Sequence, residues 1–294
     1  MLQRVSRKIS ILILLLVLLT SGCSIRQMVV RSATDPIIDG GFKAMMAEDD
    51  LELARTSLES NLKLVEGLLA SDPGNNRLRL IASQGFTAYA LGFVEDTDPG
   101  RAVRLYLRGR NYGNRWLMDE QGIDLLSIDN FETFENTVAE LPDDAVPGVF
   151  WMANAWASSL MLSLTDISSI SNLPRVEAMM QFVLDHDETY YFGGAHLFFG
   201  AYYGARSTLL GGNAVKARHH LERQQELTNG TMLLGKLFQV KYVDLPALDE
   251  EAARTHLNQI LTADLDTFPD ETRLVNRISQ EKARHLLETL EDYL

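Results

Sequence analysis

The chain has one cysteine, Cys23, in 294 residues, which leaves no disulfide and no thiolate-rich metal site to hold the fold together. No Gly-x-Ser-x-Gly elbow, phosphate-cradling glycine loop or His-Glu-x-x-His helix occurs, so the commonest nucleophile, nucleotide and zinc-hydrolase sites have no sequence basis. No segment alternates with the two-residue period of a strand, which argues against a sheet. Basic residues are scarce, 27 against 40 acidic with a net charge of −13, and so acidic a surface is a poor partner for nucleic acid or anionic headgroups. The longest apolar stretch, Ile9 to Leu19, is barely a dozen residues, short of the ~20 that span a bilayer.

What remains is helix. Glu52 to Leu69 places Leu53, Leu58, Leu62, Val65 and Leu69 on one face, and Asp72-Pro73-Gly74-Asn75 ends the segment. Further breakers fall at Asp98-Pro99-Gly100, Leu141-Pro142, Pro147-Gly148, Pro174, Gly193-Gly194, Gly211-Gly212, Pro246 and Pro269. They divide the chain from Glu48 onward into about eleven helices joined by short turns, an all-α architecture.

A repeat underlies the punctuation. An alanine followed four residues later by a bulky apolar side chain recurs as Ala54/Leu58, Ala102/Tyr106, Ala178/Phe182, Ala217/Leu221, Ala253/Leu257 and Ala283/Leu287. Successive alanines lie 48, 76, 39, 36 and 30 residues apart, scattered about the roughly 34-residue period of a tetratricopeptide repeat or twice that. The small residue lets paired helices approach, and the large one fills the space between them. Lys216-Ala217-Arg218-His219-His220-Leu221-Glu222 and Lys282-Ala283-Arg284-His285-Leu286-Leu287-Glu288 are nearly the same phrase twice. The expectation is a compact α-solenoid of degenerate tetratricopeptide-like hairpins over 47–294. Its concave surface favours binding over chemistry.

The amino terminus reads as an export signal. Arg4, Arg7 and Lys8 precede the apolar core, and Leu19-Thr20-Ser21-Gly22-Cys23 closes it. This ending resembles the lipobox of a bacterial lipoprotein, with Thr20 in place of the usual aliphatic residue. The resemblance implies cleavage of residues 1–22 and lipidation of Cys23. At ~0.8 kcal/mol per buried methylene, two or more acyl chains would hold the chain on a membrane. Ser24 after the cysteine resembles the sorting rule for the outer membrane. The expected location is therefore periplasmic and lipid-anchored, with residues 23–46 as lipidated cysteine and spacer.

The side chains that carry chemistry are few. Six histidines, His186, His196, His219, His220, His256 and His285, lack metal-ligand spacing, so no metal, no cofactor and no catalytic residue is expected. Asp185, Asp187 and Glu188 read as caps between helices. The aromatic run from Tyr190 to Tyr203 is richer. Phe199 and Tyr203 sit one turn apart as packing residues, whereas Tyr190, Tyr191 and Tyr202 must each satisfy a hydroxyl. With Trp151, Trp156 and His196 they form the candidate ligand-binding set, an apolar wall with a few polar tips suited to a small organic acid or amphipathic solute.

A more specific likeness lies in Pro147, Phe150, Trp151, Ala153 and Trp156. Their spacing is similar to the Pro-x-x-Phe-Trp-x-Ala-x-x-Trp helix of the T-component family of tetratricopeptide-repeat-associated TRAP transporters. His186-Asp187-Glu188, Gly194 to Gly200, Gly211-Gly212-Asn213, Lys216-Ala217-Arg218, Arg273 to Asn276 and Lys282-Ala283-Arg284 continue it. Arg104-Leu105-Tyr106, Arg108-Gly109-Arg110 and Tyr112-Gly113 extend it into the first half. Glu222-Arg223-Gln224-Gln225 departs from the expected Arg-Ala pair, and the polar stretch Thr165 to Asn172 reads as an enlarged loop. The resemblance implies a non-enzymatic lipoprotein that docks a periplasmic solute-binding protein of a tripartite ATP-independent transporter, forms a homo-oligomer, and passes ligand through a cleft or pore. The alternative is a tetratricopeptide-like scaffold for envelope protein assembly or cell-wall enzymes; an envelope hydrolase is less favoured.

Overall fold

A computed structural model describes residues 36–164 and 166–293. The signal segment, Cys23 and most of the spacer lie outside the described residues. Two units are distinguished, 1–46 and 47–294. In the first, residues 36–46 form a helix, α1, where a spacer without helical periodicity was expected.

The second unit holds α2 (Leu51–Ser71), α3 (Asn76–Phe93), α4 (Pro99–Glu120), α5 (Phe131–Ala139), α6 (Val146–Met161), α7 (Ile167–Asp187), α8 (Tyr190–Gly204), α9 (Ala214–Leu227), α10 (Leu233–Gln239), α11 (Glu250–Leu261) and α12 (Arg273–Glu288). No strand occurs among the described residues, and the fold is all-α. The polar turn residues act as caps: the side chains of Asp50, Asn75, Asp98, Asn130, Asn213 and Asp249 each accept a backbone N–H from the first turn of the following helix.

Five of the six repeat alanines, Ala54, Ala102, Ala217, Ala253 and Ala283, are fully buried. Ala178 is only half-buried, because Val176, Met179, Met180 and Val183 take the core face of α7 instead. Leu53 also departs from expectation: it is 52% exposed, and Ala54 takes its place in the stripe of Leu62 and Leu69. Spacings of four, from 54 through 58 to 62, keep one face, whereas 53 lies about 100° away. Pro174 does not end a helix. It lies inside α7, where the usual cost of ~3 kcal/mol is offset by the buried Leu173, Val176 and Met179 around it. The supposed loop Thr165 to Asn172 is largely the first turns of the same helix, from Ile167 on.

The main core runs from the end of α4 to α8 and includes Trp116, Phe134, Phe150, Trp151, Met179 and Phe199. A second, with Leu237, Leu257 and Ala283, joins α10, α11 and α12. The array closes on itself. On α12, Arg277 Nε donates to Asp49 Oδ1 at 2.5 Å and Lys282 Nζ to Glu95 Oε1 at 3.2 Å, while Ile278 packs on Gly92.

Helix α4 packs closely against α3 and α6. A Cβ at Gly109 would lie 3.1 Å from the Ser83 carbonyl, and one at Gly113 only 2.9 Å from Met152 Cα. Gly113→Ala should therefore cost about 2–3 kcal/mol through overpacking, lowering Tm by about 4–10 °C. Gly67→Ala, in α2 with nothing within 4 Å of the new methyl, should gain about 0.5–1 kcal/mol from helix propensity. Thermal unfolding followed by circular dichroism checks both.

Candidate functional site

The six predicted residues do not converge on one point. On α6, Trp151 is 2% exposed and its neighbour Phe150 touches Tyr190 and Tyr191 with ring centroids 5.2 and 5.9 Å apart. Tyr191 meets Trp151 edge-on at 4.4 Å. Trp156, one turn and a half further along α6, lies under the Arg110 guanidinium at 5.3 Å and packs into the core. Tyr202 is buried, and its hydroxyl donates to Glu177 at 2.6 Å. That hydroxyl is spent within the protein.

Tyr190 and Tyr191 differ from Tyr202 in that, among the described residues, no protein group meets either hydroxyl in hydrogen-bond geometry. Burial pushes the Tyr190 phenol up to about 12 and raises that of Tyr191 further. Beneath them, Trp151 Nε1 is the one buried side-chain polar atom without a partner among the described residues. Tyr190 is near enough for the indole N–H to oppose the rise that burial causes, but the pair falls outside hydrogen-bond geometry. An orphaned buried donor costs about 1–3 kcal/mol.

The backbone at this place is strained as well. Tyr191, Phe192 and Gly193 have φ of 46°, 60° and 70°, a left-handed turn inside α8. Only glycine adopts this conformation freely, and each aromatic residue there costs on the order of 1–3 kcal/mol. The turn is held by Gln224 of α9, itself fully buried, whose Nε2 donates to the Phe192 carbonyl at 3.1 Å. Gln225 Nε2 donates to Gln224 Oε1 at 2.8 Å. The departure Glu222-Arg223-Gln224-Gln225 thus contains the residue that fixes the turn.

His196 belongs to a second network. Its Nε2 lies 3.3 Å from Glu188 Oε2 and its Nδ1 lies 2.9 Å from His220 Nδ1. With the Nε2 proton directed at the carboxylate, a neutral His196 accepts at Nδ1, so this network assigns the donated proton to His220. Arg223 binds the other side of Glu188 at 2.6 Å and holds that carboxyl below its ordinary range. Burial depresses both imidazoles, and the neighbouring His196 helps bring His220 down to about 4. Both rings are neutral at pH 7. Among the described residues no three metal-ligating side chains gather, at the histidines or elsewhere.

A pocket of about 560 Å³ opens between α9, α10 and α11, lined among others by Arg218, Glu222, Gln225, Lys236, Gln239 and His256. Asp244, 2% exposed at the end of a π-helical turn, Val240–Asp244, accepts from His256 Nδ1 at 2.6 Å and from Gln239 at 3.2 Å. Such turns recur at functional sites. Lys236 bonds only the neutral Gln259, and burial lowers its pKa.

The family model for the TRAP transporter T-component matches residues 47–294, the whole closed helical array. The chain belongs to the T-component family. No curated protein matches it. The Trp151 helix and the α8 to α9 segment that carry the resemblance are, in this T-component, the two elements packed around the left-handed turn.

Three parts of the T-component's site were not expected from sequence: the left-handed turn with its Gln224 brace, the His196–His220 pair, and the α9–α11 pocket. Gly193-Gly194 marked the turn as a break but not its hand. The pocket takes five residues from α9, three from α10 and one from α11, spaced along helix faces in a pattern that any amphipathic helix carries.

The histidine pair makes stability depend on pH. His220 has a folded pKa below its unfolded value of about 6.5, so its contribution is complete above pH 6.5 and is lost as pH falls towards 4. Discounted for partial exposure, it amounts to about 1–2 kcal/mol. Tm measured from pH 7 to 4 should fall less steeply for His220→Gln than for the unchanged chain.

Proposed function

We propose that this T-component is a lipid-anchored periplasmic protein that docks the solute-binding protein of its TRAP transport system and exchanges ligand with it. The observation that carries the reading is the family match over the entire helical body. The lipobox-like Leu19 to Cys23 supports the tether and the periplasmic, outer-membrane location. No described helix is long and apolar enough to cross a membrane, so on this reading the acyl chains on Cys23 make the attachment.

The chemistry separates two places for a solute. Around Trp151, Tyr190 and Tyr191 the charge that reaches the Tyr190 phenol is that of Asp187, so a neutral hydrogen-bond acceptor suits this spot better than an organic acid. The α9–α11 pocket supplies Arg218 and Lys236, neither of them paired with a carboxylate among the described residues. An organic acid is better placed there. Sharing between the tethered protein and its partner needs only that the pocket stay open to water, and its rim of Arg218 and Glu222 is exposed.

Mild crosslinking in the native envelope, followed by purification and mass spectrometry, tests the proposal. A solute-binding protein of a TRAP system is expected in near-stoichiometric amount. Recovery of outer-membrane assembly factors or cell-wall enzymes without it would favour a general scaffold instead.

A further inference from the structure

The loop between α8 and α9, with the first turn of α9, displays apolar side chains to water. Leu209 is 95% and Val215 79% exposed, the two most exposed large apolar residues among those described, and Leu210 beside them is 59% exposed. Scattered exposed leucines are ordinary, but three within seven residues form a patch.

The loop holding them is braced at every step. Leu210 N and Gly212 N both donate to the Ser207 carbonyl at 2.9 Å, Gly211 N to Thr208 O at 3.2 Å, and Asn213 N to Tyr203 O at 2.9 Å. Gly211 has φ 84°, and a Cβ at Gly212 would collide with the Arg206 carbonyl. Arg206 lies 3.6 Å above the Tyr202 ring and donates from Nε to Tyr202 O at 2.7 Å. Lys216 covers Tyr203 at 4.9 Å. The hydrophobic knob is therefore preorganised, which lowers the entropy lost on docking.

Its charge is unusual for this chain. From Thr189 to Leu221 there is no Asp or Glu, although the whole chain has 40. The same stretch carries Arg206, Lys216 and Arg218, none of which forms an ion pair among the described residues. Glu177, which meets Tyr202 beneath Arg206, is spent on the Tyr202 hydroxyl. A cationic rim around an apolar knob complements a socket that is apolar at its floor and acidic at its edge. Rigid presentation favours a shaped protein surface over fluid lipid, which gains nothing from a fixed loop.

We infer that the Arg206 to Arg218 segment, the α8–α9 loop and the first turn of α9, is the docking knob for the solute-binding protein, with Leu209 and Val215 as anchors and Arg206, Lys216 and Arg218 steering an acidic rim. This rests on the docking role proposed above.

Benzoylphenylalanine placed at position 209 in the full-length chain, photolysed in the native envelope, tests it, with the same group at position 64 as control. Leu64 is 60% exposed on α2, remote in sequence from the loop. Capture of the solute-binding protein, identified by mass spectrometry, from position 209 and not from 64 is the expected result. Leu209→Ser with Val215→Ser should also cut the co-purified binding protein on the order of tenfold or more, with an unchanged circular dichroism melt. Capture from position 64 alone overturns the surface assignment and leaves the docking role standing. Adducts only with lipid, or only with a second copy of this chain, at position 209 overturn it too. Absence of the binding protein from both positions and from the unsubstituted crosslinked sample overturns the docking role along with it.

Discussion

The close crossing of α4 over α3 and α6 is the contact on which the rest of the molecule depends. Gly109 and Gly113, one turn apart, let backbone meet backbone at Ser83 and Met152, and that proximity brings Trp116 and Leu117 into the core beside Phe150 and Trp151. A side chain at Gly109 would push α3 away, and one at Gly113 would push α6 outwards. Everything the T-component places around Trp151 is positioned from that helix: the two tyrosines, the left-handed turn, and through Gln224 the start of the α9–α10 pair.

From α9 onward the structure is organised by polar brackets. Gln224 fixes the turn of α8, Asn276 on α12 receives the Leu233 N–H at 2.8 Å, and Asp244 gathers Gln239 and His256. Each of these side chains is fully or almost fully buried, where an unmet polar group would be costly. The last helix then returns to the first hairpin through Lys282 and Arg277. A closed array needs no capping repeat at that seam, since each end covers the other.

Much of this was legible in the residues. The Ala-x-x-x-bulky phrase located the buried face of five helices because a small residue at a close crossing is a packing requirement that leaves a periodic trace. The left-handed turn left almost none: a Gly-Gly pair announces a break, but two aromatic residues with positive φ are imposed by tertiary contacts that no local pattern encodes. The twin phrases around Ala217 and Ala283 show the limit of repeats. Both alanines are buried alike, yet Lys216 lies over Tyr203 while Lys282 reaches Glu95 across the seam. The repeat specifies the packing; the neighbour specifies what the charge does. Likewise, three tyrosines that looked equivalent in sequence separate only when their hydroxyl partners are seen, since Glu177 is twenty-five residues from Tyr202.

On the function proposed above, this closed helical body holds one folded partner. Isothermal titration calorimetry of the detergent-solubilised full-length chain, with the purified solute-binding protein of its TRAP system as titrant, measures this directly. A saturable complex with a fixed subunit ratio, and an affinity that changes between solute-free and solute-loaded partner, is the predicted result. No heat with either form, alongside saturable binding of an extended unfolded polypeptide, would contradict the account.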